Sequence, residues 1–230
     1  EIIGKDGVKA DLLFRTMGLP QYARRKAATL LSTESDSAYV KELMAYLEGV
    51  NEFAMNGPTP PEFKLLGIDR HTYTLEDVFY IIGALGYNFS MAPKTEPVMD
   101  FVARKYGMDY LKDLAIYHDS LESSIPNTGF KNPASLNEGL LDFAELSNDV
   151  GTMLPVAPLN GSNAWALDGN LTASHRPLFC NDTHIGYMMP QTWYEAYLTC
   201  PGFEMYGHFL AGVPFALIGR NSHLTWGVTM

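Results

Sequence analysis

Cysteine is scarce in this chain: 230 residues hold two, Cys180 and Cys200. Two are too few for a disulfide framework, and no CxxC spacing suggests a zinc ribbon. A single bridge and two free buried thiols both stay open, with the thiols favoured. Basic residues are also few, 16 against 26 acidic ones, for a formal net charge of −10. That balance argues against a surface built for phosphate backbones or anionic lipid, so nucleic acid is not an expected partner. No run approaches the roughly 18 consecutive apolar residues of a membrane span. The start Glu1-Ile2-Ile3-Gly4 has no basic stretch leading into an apolar one, so no signal peptide is expected within this chain. A GxSxG elbow and a phosphate-cradling Gly-rich loop are both missing. Six histidines are scattered, and the spacings of His175, His184, His208 and His223 fit no zinc-binding helix pair or short turn.

With 47% hydrophobic residues, the chain can bury the core of one large domain or two small ones. Its texture changes along its length. Up to about residue 120 the signals are helical. Leu43, Leu47, Val50 and Ala54 recur at spacings of four, three and four and share one helix face between Ser37 and Ala54, which Gly57-Pro58 and Pro60-Pro61 end. Thr74 followed three residues later by Asp77 reads as a capping box and predicts a helix over about 75 to 88. Pro97 fits the first turn of a third helix that Gly107 would end, with a fourth over 109 to 118. Residues 121–161 are spaced with Pro, Ser and Asn and read as a linker, with one short helix around 135 to 147. From Ser162 to the end, short runs such as 163–167, 215–218 and 224–228 read as strands, and Asp168-Gly169 as a hairpin turn. Helices followed by a run of strands predict an α+β fold rather than alternating βαβ units. The expected division is 1–120 helical, 121–161 linker and 162–230 the start of a β region.

A serine hydroxyl needs a base within hydrogen-bond reach. A free α-amine is one, with an unperturbed pKa of about 7.7–8, so a serine at the start of a chain carries its own base. Ser162 gains such an amine only if the bond after Gly161 is cut. Glycine suits that place because it tolerates a strained backbone and leaves its carbonyl open to attack.

Gly161-Ser162-Asn163-Ala164-Trp165-Ala166 resembles the processing site of the penicillin acylase family of amino-terminal-nucleophile hydrolases. Residues 176–186, from Arg176-Pro177 through Asn181-Asp182-Thr183-His184-Ile185-Gly186, resemble a second block of that family, continued by Pro190, Trp193 and Tyr194. A third block matches Pro214 to Gly219, Asn221 and Thr225-Trp226-Gly227-Val228-Thr229. In the helical half, Tyr46 to Asn51, Pro61 to Gly67, Tyr73 to Asp77 and Asn88-Phe89-Ser90 resemble successive stations of the family's α region. The resemblance covers nearly the whole chain, although family members are much longer, so the start of the α region and most of the β region would lie elsewhere.

What the resemblance implies is an amide hydrolase with a strand-rich αββα core, of which this chain holds a part. Ser162 would attack the Gly161 carbonyl, and its freed amine would then serve attack on substrate amides. His184, 22 residues later (184 − 162), would orient the serine amine and hydroxyl. The backbone N–H of Met230 would serve the oxyanion hole. Leu85, Phe89, Ile185 and Ile218 would line an acyl pocket, a role for which plain core packing is an equal alternative. Asn88 departs from the arginine some members carry near substrate. Glu96 would be the α-region carboxylate of a structural calcium site, with a solvated surface glutamate as the alternative. No organic cofactor is implied. The expected partners are a small N-acyl amide and the remainder of the protein's own α and β regions, in a periplasmic or secreted setting. Acyl-homoserine lactones are a rival substrate class, and a non-catalytic fragment is a reading of another kind.

Overall fold

A computed structural model describes residues 4–90, 92–113, 138–153, 159–187 and 191–229. Two compact units divide the chain, one made of residues 1–89 and 154–230 and the other of residues 90–153. The architecture is α+β, with helices first and antiparallel sheets after.

The first unit opens with α1 (Val8–Thr16), α2 (Leu19–Glu34), α3 (Ala38–Asn56), α4 (Pro61–Leu66) and α5 (Leu75–Phe89). Helix α3 forms where the apolar spacing requires it, with Leu47 and Val40 buried and Leu43, Val50 and Ala54 half-buried. Ala27 of α2, Leu47 of α3 and Leu75 and Val78 of α5 make one core cluster, with Leu43, Tyr46 and Tyr73 packed against it. Phe14 of α1 adds edge-on contacts to Tyr80 and Tyr87 of α5, ring centroids 6.2 and 5.9 Å apart.

Local chemistry sets the helix ends. The capping box at α5 is reciprocal: Asp77 Oδ2 accepts from Thr74 N–H at 2.7 Å, and Thr74 Oγ1 accepts from Asp77 N–H at 3.3 Å. At the far end of α3 the last carbonyls have no partner within the helix, and Arg70 supplies one. Its guanidinium donates to the carbonyls of Ala54 (3.1 Å), Met55 and Gly57 (2.7 Å) and to Thr59 Oγ1. Asn51 ties α3 to the approach to α5 by pairing with both backbone groups of one residue: its Nδ2 donates to Tyr73 O at 2.8 Å and its Oδ1 accepts from Tyr73 N–H at 2.6 Å.

The same unit carries two sheets. Strands β1 (Leu159–Leu167) and β2 (Leu178–Ile185) form an antiparallel pair; β3 (Trp193–Cys200), β4 (Phe203–Leu210), β5 (Ala216–Arg220) and β6 (Thr225–Trp226) form a four-stranded meander. Phe209, Val213 and Ala216 are its buried side chains, and Trp226 Nε1–H donates to Ala216 O at 2.8 Å. The Tyr46 hydroxyl on α3 lies near Tyr194 of β3; burial first, then the neighbouring phenols, push the Tyr46 pKa up to about 12.

The second unit holds α6 (Ala92–Tyr106), α7 (Met108–Asp113) and α8 (Glu138–Met153), and α6 packs on both others. Among the described residues no helix is long and apolar enough to cross a membrane.

Several local expectations change. Pro97 lies inside α6 rather than in its first turn, because the helix begins five residues earlier at Ala92 (97 − 92). Asp168-Gly169 is not a two-residue hairpin turn: Asp168 is extended (φ −64°, ψ 146°) and its Oδ1 accepts from Asn170 N–H at 2.8 Å, capping a short 3₁₀ turn in a longer link. Cys180 and Cys200 are free but exposed, not buried, because both lie on strands whose faces are largely open. The fourth helix ends its described part at Asp113, and residues 114–137, with the first part of the expected linker, lie outside the described residues.

Replacing Arg70 with Ala should cost about 2 kcal/mol, as loss of charge-assisted bonds to helix carbonyls does, with Arg70→Lys recovering part; urea midpoints read both. Tyr46 ionises only near pH 12 when folded, against 10.0 for an unperturbed phenol. The unfolded chain therefore releases its proton first as pH rises. Stability should fall between pH 10 and about 12, and Tyr46→Phe should flatten that fall in alkaline denaturation curves.

Candidate active site

The chemistry-bearing residues gather on the two-stranded sheet. In its register Ser162 faces Thr183, Gly161 faces His184, Asn163 faces Asp182 and Ala164 faces Asn181. Directly opposed residues share a face and neighbours alternate, so Ser162, Thr183 and Asn181 belong to one face, and His184, Asn163 and Asp182 to the other.

Just before the serine the pairing slips. Leu159 faces Ile185 and Gly161 faces His184, which leaves Asn160 as an extra residue in β1. A bulge of this kind bends its strand and re-aims the following side chain. Gly161 follows it with φ +150°, a conformation that L side chains rarely adopt. The Gly161–Ser162 peptide is thus carried on backbone that glycine accepts readily and other residues do not.

Ser162 Oγ lies 2.8 Å from Thr229 Oγ1, a hydroxyl brought from 67 residues downstream. His184 is held from the other side. Its Nε2 is 3.0 Å from Asp182 Oδ2 and 3.3 Å from Asn163 Nδ2. The carboxylate can only accept, which favours the proton on Nε2 and leaves Nδ1 as the ring's acceptor; the Asn163 Nδ2 group, itself a donor, then lies beside Nε2 without bonding to it. Nδ1 turns toward Gly161, 3.5 Å from where a Cβ on that residue would stand. The histidine therefore adjoins Gly161, while the serine hydroxyl meets a threonine. The His184 and Asp182 side chains are 43% and 68% exposed, an open geometry for a reaction centre.

Of the four expected acyl-pocket residues, Ile185 lines a cavity of about 150 Å³ with Thr183, Gly186, Tyr187, Gln191, Thr192 and Trp193. Thr183, which faces Ser162 in the register, is one of its walls; Ser162 is not. Leu85 and Phe89 are half-buried on α5, and Ile218 is half-buried on β5 opposite His208; none of the three lines it. Met230 lies outside the described residues. Glu96 is exposed on α6, and among the described residues no group of three or more His, Cys, Asp or Glu side chains could hold a metal ion. Sequence reasoning did not single out Thr229, Asp182, Asn163 or Asn181. All four stand inside the blocks read as motifs, but only the strand register shows which of them meet.

The family model for penicillin amidase matches residues 1–230, and the chain belongs to that family. Over its whole length it is 26% identical to the acyl-homoserine lactone acylase QuiP of Pseudomonas aeruginosa, covering 27% of that protein. It is 25% identical to the penicillin acylase 2 proenzyme of Pseudomonas sp. strain SE83, covering 30% of it. A 71-residue stretch, 30% of this chain and 9% of the relative, is 35% identical to the acyl-homoserine lactone acylase PvdQ of Pseudomonas syringae pv. tomato. The chain thus spans under a third of the length of these curated relatives. No solved structure matches it.

Substituting Gly161 with Ala in a Ser162→Ala background should destabilise the protein by on the order of 1–2 kcal/mol, the usual cost of forcing a side chain into such a conformation. Chemical denaturation of the two variants side by side measures it.

Proposed function

We propose that the full-length protein is an amide hydrolase that cuts its own Gly161–Ser162 bond and then uses Ser162 as an amino-terminal nucleophile. The observation that carries this reading is the bulged, positive-φ Gly161 directly before a serine whose hydroxyl is already held, at 2.8 Å, by Thr229. Membership of the penicillin amidase family and the name proenzyme on one relative support it.

In the first step Ser162 Oγ attacks the Gly161 carbonyl carbon. The peptide C–N bond breaks, the nitrogen takes up a proton, and an ester joins Gly161 to the serine oxygen. Water opens that ester, leaving a Gly161 carboxylate and a free Ser162 amine. That amine then takes the hydroxyl proton as Oγ attacks the acyl carbon of a substrate amide and passes it to the departing amine; water releases the acyl group. His184, held by Asp182, orients the strand end at which the new amine forms. The Met230 amide is the proposed oxyanion donor.

The substrate proposed is an N-acyl amide, with Ile185 among the residues that meet the acyl chain. Acyl-homoserine lactones are a second reading, favoured by the relatives that carry the name of such acylases. Both substrates present the same linear amide, so the acyl chain and leaving amine separate them. A structural calcium at Glu96 and a periplasmic home stay outside this proposal.

Expression of the full-length protein should yield two pieces, one beginning at Ser162, and Ser162→Ala should give one intact mass and no turnover of phenylacetyl, phenoxyacetyl or fatty-acyl amides. Equal cleavage and turnover by wild type and Ser162→Ala would remove Ser162 from the mechanism, and an uncut wild type without acylase activity would support a non-catalytic role.

A further inference from the structure

We infer that Asn181 is a positioning residue for the nucleophile, acting through Thr229; this rests on the assignment of Ser162 above. Strand β6 pairs with β5 through Thr225 and Trp226 only. Beyond it, the peptide groups of the chain need other partners. At Val228 the partner is the Asn181 side chain: Oδ1 accepts from Val228 N–H at 3.2 Å and Nδ2 donates to Val228 O at 2.9 Å. The second Nδ2 hydrogen goes to Asn163 O on β1 at 3.1 Å. One amide thus does for Val228 what a neighbouring strand would do, while fastening it to the strand that carries Ser162.

Two further features fix the outcome. A Cβ on Gly227 would stand 2.3 Å from Asn181 Oδ1, so the amide reaches Val228 only because residue 227 has no side chain. The next residue after Val228 is Thr229, whose hydroxyl meets Ser162 Oγ. Asn181 and Ser162 share a face of the sheet, two pairs apart, so the segment 227–229 runs over both. The chemistry required is a short side chain with one acceptor and two donors. Aspartate has the length but no donor, and it would set negative charge against the carbonyls of Val228 and Asn163.

The test is the rate of Gly161–Ser162 cleavage in full-length protein, followed by intact mass, with thermal unfolding recorded for each variant. Ser162→Ala is the control for the underlying assignment: cleavage in that variant overturns the Ser162 reading, whereas its absence leaves Asn181 to be judged separately. Asn181→Asp should slow cleavage on the order of a hundredfold, the loss expected when a reacting group is displaced by about an ångström. Thr229→Val should slow it, while Thr229→Ser, which keeps the hydroxyl, should stay near wild type. The double variant Asn181→Asp/Thr229→Val should be no slower than the more impaired single variant, because both remove one interaction. Gly227→Ala keeps every group of Asn181 yet should slow cleavage too, and serves if Asn181→Asp does not fold. In mature enzyme that retains cleavage, kcat should fall with KM unchanged. Cleavage at the wild-type rate in Asn181→Asp or Gly227→Ala, or multiplicative losses in the double variant, would overturn the inference.

Discussion

Peptide groups that leave a sheet must find hydrogen-bond partners, and in this protein side-chain amides supply them where regular pairing stops. Asn181 closes both sides of Val228, and Asn51 closes both sides of Tyr73. The first holds the end of the meander against the two-stranded sheet; the second holds α3 against the approach to α5. Each is a short, rigid side chain that imitates a neighbouring strand, and each fixes a segment that no helix or sheet ladder reaches. The relation of Thr229 to Ser162 depends on the first of them.

The helical half was largely legible because its signals are local. The face made by Leu43, Leu47, Val50 and Ala54 turned inward, and the Thr74–Asp77 cap formed on both sides. The start of α6 was misplaced because proline's preference for a first turn competes with tolerance inside a helix, where a missing N–H costs one bond rather than the element. Asp168-Gly169 misled in a similar way. Its dipeptide suits a tight turn, but the aspartate side chain found a nearby backbone N–H and built a longer link.

The candidate site was legible only as positions. Motif blocks pointed to Ser162 and His184 as candidates, yet nothing in their spacing told that the serine hydroxyl would meet Thr229 or that the histidine would stand beside Gly161 near Asp182 and Asn163. Those facts follow from register: one residue of slip exchanges the faces of a strand, and the bulge at Asn160 sets where each pair falls. The expected acyl pocket shows the same limit, since Ile185 borders a cavity shared with Thr183 while Leu85, Phe89 and Ile218 do not.

The 67 residues between Ser162 and Thr229 also set a clock on the birth of the protein. A ribosome adding roughly 5–20 residues per second delivers the serine about three to thirteen seconds before its hydroxyl partner. During that interval the bulge and the positive-φ glycine can exist without the hydroxyl that meets Ser162. The contact between the two hydroxyls is therefore made only after every strand of the meander has been synthesised.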